Sequence, residues 1–290
     1  MDTVIVTGAN GFIGNATARA LCRKDCHVLG IHFPNNSVRE IPGAEIFIGD
    51  LSLPQTWKTL RTYRPKAVIH IAAAVPESFD VTSTMLAAAA NRIIDRQVIS
   101  FCETLGATLV YASSTSVLRI NSDFKDNYYA LQKVETEDII NSASLYSKCS
   151  LRINSPYGPG QTLRTVIKHF IESAIKNVPL YYYGTGLRTQ DFIYVEDVAS
   201  AFVAAYETHA NGIFNVASGT SISMKDLAHL VVSLVPGCTS PILPTGKDDP
   251  DENYRAEFDI SATTKQLHWT PRYSLKEGIT GFIEALRAAI

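Results

Sequence analysis

Residues 2–14, DTVIVTGANGFIG, constrain the fold more than any other stretch of the chain. The β-branched run at residues 2–7 reads as a strand, because Val, Ile and Thr pack well on a pleated surface. It breaks at Gly8, and Gly11 and Gly14 follow as a helix-forming segment opens over residues 12–24. Gly8 permits a tight turn, Gly11 lets backbone amides approach an anionic group, and Gly14 lets helix and strand pack closely. The free N–H groups and positive dipole end of the helix point at the same place, which suits a pyrophosphate. A glycine triplet alone is a weak signal. In the order strand, turn, helix it predicts a dinucleotide site lined by Gly8, Gly11, Phe12, Ile13 and Gly14.

The alternation continues. Residues 27–32 read as a second strand, Ala44–Ile48 as a third ending in Gly49-Asp50-Leu51, and residues 67–71 as a fourth ending in His70-Ile71-Ala72-Ala73-Ala74. A long helix follows at Val81–Leu105. Strands alternating with helices through residue 153 predict an α/β fold with a doubly wound, mostly parallel sheet. Small side chains at Ala72 and Ala73 let backbone approach a cofactor. An acid at the end of the second strand would bond an adenosine ribose and repel a 2′-phosphate. That position holds His32, with Arg39 beyond it. The missing carboxylate favours NADP over NAD, with His32 and Arg39 expected to supply positive charge. In the alternative, His32 caps the strand and Asn35 or Asn36 holds an unphosphorylated ribose.

Residues 109–112, LVYA, form an apolar strand that runs into Ser113, Ser114, Thr115 and Ser116. Tyr129 and Lys133 lie four apart in a segment, residues 128–140, of helix-forming residues without Gly or Pro. On a helix that spacing sets phenol and ammonium on one face, a turn apart. The ammonium favours phenolate, so Lys133 is expected to lower the Tyr129 pKa from about 10 towards the working range. A hydroxyl from Ser114 completes a Ser–Tyr–Lys proton-transfer set. Tyr128, five residues from Lys133, faces elsewhere.

Composition narrows the alternatives. The 290 residues suffice for one large or two intimate domains, and 46% hydrophobic with 19% charged residues is ordinary for a globular chain. A net charge of −2 gives no support to a nucleic-acid partner held by bulk electrostatics. No apolar run reaches the roughly 18 residues that would span a bilayer. The five cysteines contain no C-x-x-C pair, and Cys22 and Cys26 lack further ligands nearby, so no metal site is expected. The strand-like DTVIVTG begins at once, without a basic and then apolar leader, and a reduced cytoplasm is the expected compartment.

The G-x-x-G-x-x-G spacing resembles the short-chain dehydrogenase/reductase superfamily. Gly49-Asp50-Leu51 resembles its adenine-contacting turn, and residues 70–74, HIAAA, resemble the H-x-A-A of its extended members. Those members often keep an Asn, here Asn91, that organises active-site backbone. Residues 151–161, LRINSPYGPGQ, and 183–201, YGTGLRTQDFIYVEDVASA, are similar to the NAD-dependent epimerase/dehydratases. So are residues 212–216, GIFNV, and the tail segments FDIS, LHWTP and SLKEGI, all in the right order. The resemblance implies a Rossmann domain over residues 1–155, to which segments near 190–216 return. A smaller domain, mainly residues 156–290, would close over a sugar nucleotide. It implies Tyr129 as acid/base, with Lys133 lowering its pKa and bonding the nicotinamide ribose. Ser114, three residues before Val117, would orient the reacting oxygen with Thr115 in reserve, and Asn154 would lie near the sugar or diphosphate. Asp50 and Leu51 fall to the adenine. The helix at Val81–Leu105 and the Tyr129 helix match the pair through which relatives form two-fold dimers, so a homodimer is expected.

The departures matter as much. Dehydratases of this family carry Asp-Glu directly after the catalytic hydroxyl, where this chain has Thr115-Ser116, so sugar 4,6-dehydration is not expected. Decarboxylases with a Glu just before the Val117 position are disfavoured for the same reason. The V-Y-G turn is Val117-Leu118-Arg119, and the short connection to Tyr129 implies a reduced flap. Gln190 stands where many relatives carry an Arg, which leaves Arg188 and Arg255 as the expected clamp on a diphosphate. The leading expectation is hydride transfer between NADP or NAD and C4 of a nucleotide-linked hexose, by a 4-keto reductase with exchangeable NADPH. A 4-epimerase with tightly held NAD is the alternative. A non-catalytic nicotinamide sensor is more remote, and a reductase of some other carbonyl stays open.

Overall fold

The computed structural model describes residues 1–34, 40–76, 78, 80–119 and 127–288. In chain order the elements begin with β1 (Asp2–Thr7), α1 (Phe12–Leu21), β2 (Cys26–His32), β3 (Ala44–Ile48), α2 (Pro54–Leu60), β4 (Ala67–His70) and α3 (Val81–Leu105). Then come β5 (Thr108–Ser114), α4 (Tyr128–Ser142), β6 (Lys148–Ile153), β7 (Pro156–Tyr157), α5 (Val166–Ile175), β8 (Leu180–Tyr182), β9 (Thr189–Asp191) and β10 (Ile193–Tyr194). The chain closes with α6 (Val195–Glu207), β11 (Gly212–Val216), β12 (Ser221–Ser223), α7 (Met224–Leu234), β13 (Ile242–Pro244), α8 (Ser261–Leu267) and α9 (Leu275–Ala288). Two compact units result: Met1–Ile153 with Val198–Val216 and Ser261–Trp269, and Asn154–Asp197 with Ala217–Ile260 and Thr270–Ile290.

The first unit is built on a seven-stranded sheet of order β11-β6-β5-β4-β1-β2-β3 in which every pairing is parallel. Its central strands are near-continuous apolar runs, as a sheet covered on both faces requires, with Val4, Ile5, Val6, Val68, Ile69, Leu109 and Val110 all fully buried. Trp57 and Phe101 close one side of this core, with ring centroids 4.9 Å apart. Each such side chain contributes about 1.5–3 kcal/mol by leaving water. The order reverses at β1: β2 lies on one side and β4 on the other, and Thr7 pairs with both Ile31 and His70. In open α/β sheets ligands bind in the crevice beyond the strand C-termini at such a switch point. The doubly wound parallel sheet expected from the sequence is therefore present.

The second unit has short strand pairs, β10 with β7, β12 with β9 and β13 with β8. Its core gathers Phe170, Ile171, Leu227, Val231, Phe282 and Ile283 from α5, α7 and α9. On α9 the inward residues Ile279, Phe282, Ile283 and Leu286 recur at helical spacing, which makes one apolar stripe.

Candidate active site

The glycine turn is a cradle that side chains would fill. Gly8 adopts φ +68°, and a Cβ there would stand 2.9 Å from the Ala72 backbone. A Cβ on Gly14 would come within 2.1 Å of the Gly8 carbonyl oxygen. The Gly11 amide closes the turn onto that same carbonyl at 2.9 Å, and no side chain caps α1 at Gly11. The amides of Phe12 and Ile13 thus open the helix where an anion is favoured. Ala72 is fixed by its amide bond to the Thr7 hydroxyl, 3.0 Å. Asn91 bonds Ala74 both ways: its Oδ1 accepts from the Ala74 amide at 2.7 Å and its Nδ2 donates to the carbonyl at 3.0 Å. Asn91 thus shapes the backbone beside Ala73, as expected. Asp50 accepts from the Ser52 amide and hydroxyl at 2.8 and 2.7 Å, and the Leu51 carbonyl accepts from the Trp57 indole at 2.8 Å, so this turn is held firmly. These features fit a dinucleotide.

His32 needs correction. It ends β2 as expected but is only 1% exposed, and neither ring nitrogen finds a hydrogen-bond partner among the described residues. Burial pushes its pKa below the usual value, so the imidazole is neutral at neutral pH and supplies no charge to a phosphate. Arg39 lies outside the described residues, as does most of the short connection leading to Tyr129.

The catalytic candidates come together at the C-terminal end of β5 and the start of α4. Asn127 caps α4 by accepting from the Ala130 amide at 3.0 Å, which sets the first turn carrying Tyr129. One turn on, Lys133 is buried with its Nζ 5.6 Å from the centroid of the Tyr129 ring. Its hydrogen bonds run elsewhere: to the Tyr111 hydroxyl at 3.0 Å and the Ala112 carbonyl at 2.9 Å. The expected lowering of the Tyr129 pKa is not found. Burial, aided by the charge of Asp95, pushes this phenol up to about 12. Burial in turn lowers the Lys133 pKa, with Asp95 and Glu137 opposing it.

The run of hydroxyls is sorted by the fold. Ser113 is buried and donates to Glu137 at 2.5 Å, while Thr115 is buried with its hydroxyl 3.5 Å from the Ile153 carbonyl. Ser114 is half-buried, and its oxygen accepts from the Ser116 amide at 3.2 Å, which leaves its proton to be donated.

A group that sequence reasoning missed lies behind Lys133. Asp95 of α3 is 3% exposed and accepts from His70 at 2.9 Å, Tyr111 at 2.9 Å, Gln132 at 2.7 Å and Thr136 at 2.8 Å. Burial would raise this carboxyl, but the His70 bond, the charge of Lys133 and the Thr136 bond outweigh it and hold the pKa well below the usual range. In the sequence Asp95 is an ordinary polar helix residue and Tyr111 an ordinary strand aromatic. Only Gln132, next to Lys133, gave any local hint of a polar core.

The candidate substrate residues of the second unit are differently placed. Asn154 is buried and donates to the Asp191 carbonyl at 2.6 Å. Arg188 pairs with Asp249 at 2.9 Å and lies 4.0 Å from Asp251. It lines a cavity of about 420 Å³ with Arg164, His169, Tyr181, Tyr182 and Tyr183. Arg255 is exposed, and its guanidinium donates to the carbonyls of Glu252 and Tyr254 at 2.9 Å each. Among the described residues no His, Cys, Asp and Glu cluster could hold a metal, and no helix is long and apolar enough to cross a membrane.

Comparison with known proteins identifies the family and the fold. The profile of the NAD dependent epimerase/dehydratase family matches residues 4–217. The chain is 33% identical over 142 residues to UDP-glucuronic acid decarboxylase 1 of Arabidopsis thaliana, a match covering 48% of this chain but only 32% of that protein. It is 25% identical to dTDP-L-rhamnose 4-epimerase of Burkholderia thailandensis, over 95% of this chain and 92% of the other. It is 26% identical to dTDP-4-dehydro-6-deoxyglucose reductase of Escherichia coli, over 98% and 97%. The fold superposes on the Thermus thermophilus UDP-glucose 4-epimerase complex with NAD with a TM-score of 0.83, at 24% identity over 99% and 100% of the chains.

Proposed function

The chain belongs to the NAD dependent epimerase/dehydratase family, and within it we propose a 4-keto reductase of nucleotide-linked hexoses in which Tyr129 is the general acid. The observation that carries this reading is the placing of buried Lys133 one helical turn from Tyr129, its Nζ 5.6 Å from that ring, beside a phenol that is protonated at neutral pH and so has a proton to give. Carbonyl reduction needs that proton, because negative charge develops on the oxygen as hydride reaches C4. When bound, a nicotinamide dinucleotide supplies the hydride. The chain's own residues do the rest. Ser114 donates its hydroxyl to the same oxygen and orients it. Lys133, already bonded to Tyr111 and Ala112, keeps one N–H for a ribose hydroxyl, and its charge stabilises the phenolate left behind. The glycine turn and the α1 amides take the pyrophosphate.

For the nucleotide end of the substrate we assign the aromatic cavity of the second unit, where Tyr181–Tyr183 suit a planar base and Arg164 and Arg188 suit phosphates. Thr115 and Ser116 in place of carboxylates support reduction over dehydration or decarboxylation. The absence of an acid after β2 supports exchangeable NADPH, and with His32 neutral the positive charge this needs falls to Arg39. A second reading is favoured by that same His32. A buried neutral imidazole with neither nitrogen bonded among the described residues suits ribose hydroxyls, hence tightly held NAD and a 4-epimerase. The deciding experiment supplies a nucleotide-linked 4-keto hexose with NADPH. Stoichiometric oxidation of NADPH supports the reductase. Co-purified NAD, with interconversion of 4-epimers and no net cofactor use, replaces it with the epimerase.

Two further features belong to this reading. Val81, Met85, Leu86 and Ile93 stand exposed along α3, which supports a homodimer through this helix, and a monomeric mass by light scattering at micromolar concentration would refute it. All five cysteines are free, as suits a cytoplasmic enzyme.

A further inference from the structure

A buried chain of hydrogen bonds runs through the first unit and ends at Lys133. Its far end fixes the protons. The Thr7 hydroxyl oxygen accepts from the amides of Ile71 and Ala72, both at 3.0 Å, which occupies its two lone pairs. Its own proton therefore goes to His70 Nδ1, 2.8 Å away. An accepting Nδ1 makes His70 the neutral tautomer with hydrogen on Nε2, and that hydrogen is donated to Asp95 at 2.9 Å. Tyr111, Gln132 and Thr136 are neutral donors as well, so the carboxylate receives four hydrogen bonds and none from a formal cation. The nearest cation is one phenol away: Tyr111 donates to Asp95 and accepts from Lys133 at 3.0 Å.

The remaining charges around Lys133 are already matched. Glu137, on the same helix, is engaged by Arg152 of β6 at 2.6 and 2.9 Å and by Ser113. Tyr129 is a neutral phenol, and burial with the Asp95 charge keeps Tyr111 protonated as well. Lys133, 2% exposed, has no solvent to stabilise its ammonium, and a buried cation without a counter-charge neutralises.

We propose that Asp95 is a positioning residue that, through the Tyr111 phenol, supplies the counter-charge keeping Lys133 cationic and anchored beneath Tyr129. Removing either member would release the ammonium towards neutrality and loosen its aim. The catalytic consequence rests on the reductase reading above, but the state of Lys133 does not, and the two are tested separately.

The experiment is a direct titration of Lys133 by NMR in protein carrying ¹³C-labelled lysine, with the signal assigned by its loss in Lys133→Met. Asp95→Asn, which keeps the shape but not the charge, and Tyr111→Phe, which keeps the charge but not the bridge, are each expected to lower the Lys133 midpoint by at least about one pH unit, tenfold in the proton affinity. Asp95→Glu, which keeps the charge, is expected to shift it less than Asp95→Asn. An unchanged midpoint in either Asp95→Asn or Tyr111→Phe overturns the proposal. Should Asp95→Asn fail to fold, Tyr111→Phe decides alone. The titration needs neither substrate nor turnover, so it stands or fails independently of which reaction the enzyme performs.

Discussion

Both units of the molecule bury carboxylates, and they hold them in opposite ways. In the first unit Asp95 is gripped by side chains, those of His70, Tyr111, Gln132 and Thr136, and its pKa is held low. In the second, Asp191 accepts from the backbone amides of Ser218 and Gly219 at 2.9 and 2.8 Å, and Asp197 from those of Arg272 and Tyr273 at 2.8 and 3.1 Å. Burial raises the pKa of both. A carboxylate that accepts from successive backbone amides pins a loop, whatever side chains assist it, as the Ser218 side chain does at Asp191. A carboxylate bound by side chains transmits its charge to whatever those side chains touch next. On the proposal above Asp95 therefore serves the chemistry of the first unit, whereas Asp191 and Asp197 hold loops of the second.

Four substitutions probe that contrast. The largest effect is expected at Tyr129→Phe, which should cut turnover at least about a hundredfold while cofactor still binds by fluorescence titration. Near-normal turnover would remove the chemistry from the first unit altogether. Next comes the acid stability conferred by Asp95. Its folded pKa, about 2, lies below its unfolded value, so its contribution is present above about pH 4 and is lost as pH falls through 2. The stability advantage of wild type over Asp95→Asn in urea should shrink by about 2 kcal/mol across that window, and a constant difference would show that the charge adds nothing.

Asp191→Ala sharpens the other side. It strands two partly buried amides at a cost of about 1–2 kcal/mol in urea unfolding, while the Lys133 titration stays at its wild-type midpoint. A shift of that midpoint would erase the distinction between the units. The smallest effect is assigned to His32→Asp. A carboxylate there repels a 2′-phosphate and accepts from a ribose hydroxyl, so the NADPH-to-NADH ratio of kcat/KM should drop about tenfold, or about 1.4 kcal/mol. An unchanged ratio would mean the end of β2 does not read the cofactor.

Much of this was legible in the residues. β1, β3 and α3 occupy the spans their patterning predicts, because strand and helix periods are local properties. Tyr129 and Lys133 share a helical face for the same reason. What the sequence withheld depends on distance along the chain. Tyr111 and Lys133 are 22 residues apart, and Gln132 and Asp95 are 37 apart, and nothing local announces that they meet. Burial was equally silent: His32 reads as a charge near a phosphate until the fold seals it and leaves it neutral. The aim of Lys133 at Tyr111 was invisible for the same reason.

The path of the chain has a consequence for how the protein is made. It passes from one unit to the other at residues 153, 197, 216, 260 and 269, and β11, the last strand of the first sheet, arrives only after residues 154–197. During synthesis from the N-terminus, β6 therefore leaves the ribosome without its outer neighbour, an unpaired parallel edge open to association with other chains. A fragment ending near residue 155 would keep that edge for good. Neither unit can be cloned as a continuous piece of sequence, and a nascent chain stalled before Val216 is the form most in need of a chaperone.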